Sequence, residues 1–327
     1  MEKILNNEDP DLVVFTGDVV DPACAAKDFS YHFTSALELI KNRKIPYMWT
    51  GGSNIDGLSR MKMHEIDYGY GMSLSYTGHL WDLHMETHKA PEQEKLGYFT
   101  ARVPIMDPNI QTEIMSIYTF DTSFDWCLKD GLPGESCIST EAVDWFNDQQ
   151  YLYSHGHRYR DFIFLHKPIP EFMHLANRYE ISGHKQQEIN CSALNSGLFA
   201  TAMDKKKTVW VNVGNDAYND FSGRYHEEMM FSYARKSGFS GPGNLKRGAR
   251  AFRLSIDNEN VLHGISYVVE EPSGKPSEMM QRQNAPTFGF SLQTECGVDP
   301  FEQAFGLIYG DFSFEPEEAK PSAKMTQ

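Results

Sequence analysis

Two apolar runs of this chain lead into side chains that bind metals. Leu12-Val13-Val14-Phe15-Thr16-Gly17 runs into Asp18, and Phe162-Ile163-Phe164-Leu165 runs into His166. A third run, Val209-Trp210-Val211-Asn212-Val213, closes on Gly214-Asn215-Asp216. Each reads as a strand that delivers a polar residue to its mouth. A carboxylate and an imidazole at the mouths of neighbouring strands are the parts of a two-metal hydrolase, in which bound metal turns water into hydroxide at neutral pH. Asp18 and His166 alone fall short of it, because even one catalytic zinc takes about three protein ligands.

The elements that would position these residues are legible from periodicity. Apolar residues at Phe29, Phe33, Ala36, Leu37 and Ile40 predict a helix over 28–43 that crosses over after the Asp18 strand. Residues 45–49 read as the next strand, Gly51-Gly52 as a tight turn, and 56–63 as the start of a helix. Strands are predicted at 98–103, 114–120, 162–165, 209–213, 251–256 and 265–269, and a helix led by Ser139 through Val143, Trp145 and Phe146. Gly131-Leu132-Pro133-Gly134 breaks the chain before that helix.

Composition bounds the function classes. The chain has 327 residues, 40% hydrophobic, enough for one large core. A formal net charge of −15 argues against nonspecific binding to nucleic acid or anionic lipid. The strongest basic cluster, Lys205-Lys206-Lys207, reads as a solvated hairpin turn. No apolar run approaches the roughly 18 residues of a membrane helix, and the acidic start resembles neither a secretory signal nor an Arg-rich transit peptide. Five cysteines (Cys24, Cys127, Cys137, Cys191 and Cys296) without CxxC spacing read as reduced thiols in an intracellular compartment. Cys127 and Cys137 flank the Gly/Pro loop and could pair, with two separate thiols the simpler expectation.

Five segments, taken together, resemble the calcineurin-like metallophosphoesterases, in the lineage of purple acid phosphatase 29 and the dosage-dependent cell-cycle regulator phosphatases. Residues 10–21 look like the GDxxD strand, and Thr50-Gly51-Gly52-Ser53-Asn54 sits where that lineage has GNHD. Residues 164–171 resemble F-x-H-x-P-x-P-E, Asn195-Ser196-Gly197-Leu198-Phe199 resembles NSGxF, and 214–223 resemble GHDHxNDFxG. The resemblance implies an α/β fold, a sandwich of two mixed β-sheets flanked by α-helices, over residues 1–270. It also implies which letters should hold metal: a DxH pair, the Asp of GDxxD, the Asn of GNHD, a lone His and the two His of GHxH. Asp18 and His166 stand at two of those places. Ser53 replaces the Asn ligand, Asn54 the His that would protonate a leaving group, and Asn215 and Ala217 the GHxH pair. Seventeen residues precede Asp18 and none carries DxH, so its strand is expected to be missing.

The expectation is therefore a catalytically inactive phosphoesterase-like protein with no catalytic residues and no cofactor. It would serve as a structural or accessory subunit of a larger assembly, of a mitochondrial respiratory-chain or axonemal kind by analogy. One alternative is an active phosphoesterase with a single transition-metal ion near Asp18 and His166, or with an incompletely represented site. Another is a phosphate-ligand module using Asn54, Asn215 and Arg60. Residues 271–327 read as an extended arm rather than a domain, rich in aromatics such as Phe288, Phe290, Phe301 and Phe305, laid on a partner or on its own domain. His84 and His88, four apart, and His155 and His157 are histidine pairs without a third ligand in view.

Overall fold

The computed structural model describes residues 1–55, 57–79, 94–107, 112–123, 137–153, 159–192, 194–226, 229–241, 243–257, 262–271, 275–276, 282–283, 293 and 296. In chain order the helices are α1 (Glu2–Glu8), α2 (Pro22–Asn42), α3 (Arg60–Gly71), α4 (Thr140–Tyr153), α5 (Glu171–Arg178) and α6 (Leu198–Asp204). The strands are β1 (Val13–Phe15), β2 (Tyr47–Trp49), β3 (Ala101–Met106), β4 (Glu113–Thr119), β5 (Arg160–Leu165), β6 (Ile181–Ser182) and β7 (Thr208–Val213). They continue as β8 (Ser222–Tyr225), β9 (Met229–Tyr233), β10 (Gly248–Ile256), β11 (Leu262–Glu270), β12 (Lys275–Pro276) and β13 (Arg282–Gln283).

A mixed sheet in the order β13-β6-β8-β9-β7-β5-β4-β3 is the main layer. Its middle strands β9, β7, β5 and β4 pair in parallel, and so do β1 and β2 in a separate two-stranded sheet. Alternation along the strands sorts their side chains between cores. Ile163 and Leu165 join Phe146 of α4, Phe172 of α5 and Leu198 of α6 on one face of the main sheet. Phe162 and Phe164 point the other way, toward Val14, Met48 and Phe252. Val13, Phe15, Tyr47 and Trp49 then face α2, packing with Phe29, Phe33, Leu37 and Ile40. Each large apolar side chain buried this way contributes about 1.5–3 kcal/mol.

Element ends differ from the sequence reading for local reasons. The α2 helix starts at Pro22, with the Asp21 carboxylate accepting from Ala23 N at 3.0 Å. Asp28, the expected start, is a non-helical break inside it, where its side chain caps Tyr31 N at 3.0 Å. Helix α3 begins at Arg60 rather than 56, because Ser59 Oγ accepts from Lys62 N at 3.2 Å. Strand β3 starts at Ala101 rather than 98, since Thr100 N still closes a turn onto Gly97 O. Lys205-Lys206-Lys207 joins α6 to β7 and is not a hairpin turn: Lys206 N bonds Met203 O as the helix ends.

Met1–Cys296 form one unit. Within the expected arm, β12 pairs with β11 and β13 with β6. Its aromatic residues from Phe288 onward lie outside the described residues, as do His84, His88, His155 and His157. Among the described residues no helix is long and apolar enough to cross a membrane.

Candidate functional site

The C-terminal ends of β1 and β2 meet those of β5 and β7, the edge at which parallel strands of α/β proteins present functional groups. β1 ends in Asp18, β2 in Gly51-Gly52-Ser53, β5 in His166, and β7 in Gly214-Asn215. His166 is buried, while the Asp18 side chain is half exposed. Ser53 stands between them: its backbone N–H donates to Asp18 Oδ1 at 2.8 Å, and its Oγ lies 3.3 Å from Asp18 Oδ2 and 3.0 Å from His166 Nε2. His166 Nδ1 lies 2.9 Å from the carbonyl of Thr16 and donates to it, which turns Nε2 toward Ser53 Oγ. Gly214 N and Asn215 N both donate to the His166 carbonyl, which ties β7 to β5 at this edge.

Sequence reading placed these letters together, and the structure does bring Asp18, Ser53 and His166 into contact. The remaining letters add no carboxylate, imidazole or thiolate. Asn54 is exposed, Asn215 acts through its backbone N–H, and Ala217 has no donor atom in its side chain. No group of three or more His, Cys, Asp or Glu among the described residues could hold a metal ion. The residues present do not fit a two-metal centre, since two ligands hydrogen-bonded through one serine cannot complete even a single coordination shell.

Arg60, expected to offer hydrogen bonds to a phosphate, is committed elsewhere. Its buried guanidinium pairs with Asp121, donates to Gly52 O at 2.9 Å and lies over the Phe99 ring. Ser123 Oγ donates to the same Gly52 carbonyl at 2.8 Å. Together they pin the Gly51-Gly52 turn. Gly52 has φ +87°, and a Cβ on it would strike the backbone and carboxylate of Asp18. Gly52→Ala is accordingly expected to destabilise the protein by about 1–3 kcal/mol or more. Chemical denaturation showing a loss below a few tenths of a kcal/mol would refute this account of the turn.

The other motif letters hold the scaffold. Glu171 Oε1 accepts from Asn195 Nδ2 at 3.1 Å, and Asn195 Oδ1 accepts from Gly197 N at 2.9 Å just before α6. One contact thus joins the P-x-P-E and NSGxF segments. Asn219 Oδ1 accepts from Gln186 N and Gln187 N, and Asp220 from His184 N and Arg235 Nε. Buried Asp216, quoted in sequence only as part of a turn, accepts from Asn190 N at 3.1 Å, Tyr233 Oη at 3.2 Å and Asn219 Nδ2 at 3.4 Å. Burial pushes its carboxyl up to about 6, against those hydrogen bonds and the charge of Lys167. Lys236, which no motif signalled, stands in the field of Asp18 and Asp21, its ammonium lowered by burial first and by Arg247 second.

No family model matches the chain. It is 23% identical over 276 residues to the Arabidopsis thaliana protein named "Probable inactive purple acid phosphatase 14", across 81% of this chain and 67% of that one. To "Probable inactive purple acid phosphatase 29" of the same plant it is 24% identical over 275 residues, across 79% and 67%. The chain is a distant homologue of the purple acid phosphatases. The resemblance read from the five segments is borne out by this homology. "Phosphatase DCR2" of Saccharomyces cerevisiae is 23% identical over 310 residues, and the chain spans 49% of its length. A crystal structure of a dimetal phosphatase from Danio rerio superposes with a TM-score of 0.48 at 12% identity, over 71% of this chain and 74% of that one. Purple acid phosphatase relatives named inactive thus stand beside one named a phosphatase, and the donor set of this chain has to decide what relationship does not.

Proposed function

We propose that this purple acid phosphatase homologue is a non-catalytic member of the metallophosphoesterase family, acting as a structural or accessory subunit in a protein assembly. The observation that carries the reading is the closed triangle of Asp18, Ser53 and His166. Of the family's ligand letters two are present, and a serine hydroxyl bridges them. Hydrolysis of a phosphate ester asks a two-metal enzyme for a barrier reduction on the order of 20 kcal/mol, chiefly by making hydroxide and neutralising developing charge. Ser, Asn and Ala at the other places supply neither function. The letters that did persist are those with structural partners: Glu171 with Asn195, Asn219 with the 186–187 backbone, and Asp220 with Arg235. In this reading the sheets have outlived the chemistry, with β10 packing its Phe252 onto Phe162, Phe164 and Trp210 of the main sheet.

Metal analysis of the native protein together with an aryl-phosphate assay tests it. The expected result is substoichiometric metal, no turnover, and an Asp18→Asn variant that changes stability by about 1 kcal/mol. Stoichiometric transition metal, or hydrolysis that Asp18→Asn abolishes, overturns the reading in favour of an active phosphoesterase.

A further inference from the structure

The segment after β12 is fastened to the domain at three places. Arg282 and Gln283 add β13 to β6. Gln293 clasps a backbone: its Oε1 accepts from Ile189 N at 2.9 Å, its Nε2 donates to Ile189 O at 2.8 Å, and its own carbonyl accepts from Asn177 Nδ2 at 2.6 Å. Three residues further on, Cys296 is disulfide-bonded to Cys191, with Cα atoms 4.9 Å apart across 105 residues of sequence. Cys137 is disulfide-bonded as well, Cys127 lies outside the described residues, and Cys24 is free. The reading of uniformly reduced thiols is corrected by these bridges.

The loop so fastened lies against the segments that follow β5 and β7. Asn190 N donates to Asp216 beside Asn215, and Ser192 N donates at 3.1 Å to the carbonyl of Pro168, two residues beyond His166. Cys191 lies between those two contacts and is 3% exposed. A buried bridge of this span, held by a second, non-covalent clasp three residues away, has the character of a structural disulfide, and such bridges form and persist in oxidising surroundings.

We propose that this protein matures in an oxidising compartment, where Cys191–Cys296 latches the C-terminal segment onto the loop at residues 189–192. The Gln293 clasp holds Cys296 within reach of Cys191. Two thiols then give up two protons and two electrons as the Sγ–Sγ bond forms. A thiol–disulfide oxidoreductase takes up both, its own disulfide leaving as a dithiol. This inference is independent of whether the Asp18 and His166 site is catalytic.

The test uses full-length protein taken from its own cells, with thiols alkylated at lysis and digestion carried out without reductant. Mass spectrometry is expected to find the Cys191 and Cys296 peptides linked and unalkylated; alkylated Cys191 and Cys296 would overturn the proposal. Limited proteolysis tests the latch separately. Cys191→Ser/Cys296→Ser protein, and wild-type protein after mild reduction, are expected to be cut between β12 and residue 296 several-fold faster than oxidised wild type. Equal cutting rates in all three would sink the latch, whatever the fate of the variant's global fold, because reduced wild type carries no substitution.

Discussion

Asp220→Ala is expected to cost about 3–5 kcal/mol, because it removes the fully buried carboxylate that pairs with Arg235 and leaves that charge undercompensated. Asp220 is fully buried. Its side chain pairs with Arg235 and accepts from His184 N at 2.6 Å, and its carbonyl accepts from Arg250 Nη2 at 2.6 Å. Burial already holds the Arg250 guanidinium down to about 10, opposed by the attraction of Asp220 and aided by the repulsion of Arg235. Glu270 reaches Arg235 at 3.2 Å but also serves Lys246, so it cannot replace the lost carboxylate. Guanidinium denaturation of wild type and variant measures the loss directly. A difference below about 1 kcal/mol would mean that water or rearrangement compensates the arginines, and the scaffold role assigned to this motif would fall.

That role shows why the sequence was informative about the fold. Strand and helix positions followed from period alone where an element is long and one-sided: Phe29, Phe33, Leu37 and Ile40 mark the buried stripe of α2. Boundaries set by a single side chain were harder to see. Asp28 looked like the start of that helix because it is a cap, but it caps a second segment after a break. Short elements such as α5, α6 and β6 escaped, since a helix of 8 or 7 residues or a strand of 2 gives too few repeats for a period to emerge.

The site was legible in its letters and not in its partners. Asp18, Ser53 and His166 each follow a recognisable strand, and the structure sets the three side by side. Arg60 was misread as available, since nothing local reveals that Asp121 and Gly52, 61 and 8 residues away, consume its donors. Cys191 and Cys296 were misread for the same reason: a pair 105 residues apart carries no spacing signal, and among the described residues the β13–β6 pairing and the Gln293 clasp hold the segment against the domain. Long-range polar partnership is the part of this fold that period and motif do not encode.

A second buried carboxylate makes stability depend on pH in a direction opposite to the usual acid denaturation. Asp161 opens the buried part of β5, where Gln150 Nε2 donates to its Oδ2 at 2.7 Å and also reaches Thr208 Oγ1 at 3.2 Å. Burial pushes its carboxyl from the ordinary 3.8 up to about 7, against hydrogen bonds from Gln150 and Tyr159 and the charge of Arg102, with Glu113 adding to the rise. The folded state therefore keeps a proton that the unfolded chain has released. Its contribution to stability is complete below about pH 4 and is lost as pH rises through about 7. At about 1.4 kcal/mol for each pH unit, the loss is on the order of 4 kcal/mol across that window. Asp161→Asn keeps an acceptor for Gln150 and carries no ionisable proton. Urea denaturation at a series of pH values is thus expected to give a stability difference, variant minus wild type, that climbs from about pH 4 to about pH 7 and levels off above. Parallel stability curves over that range would show that Asp161 is ionised in the folded protein, with Arg102 and Gln150 meeting the full cost of its charge.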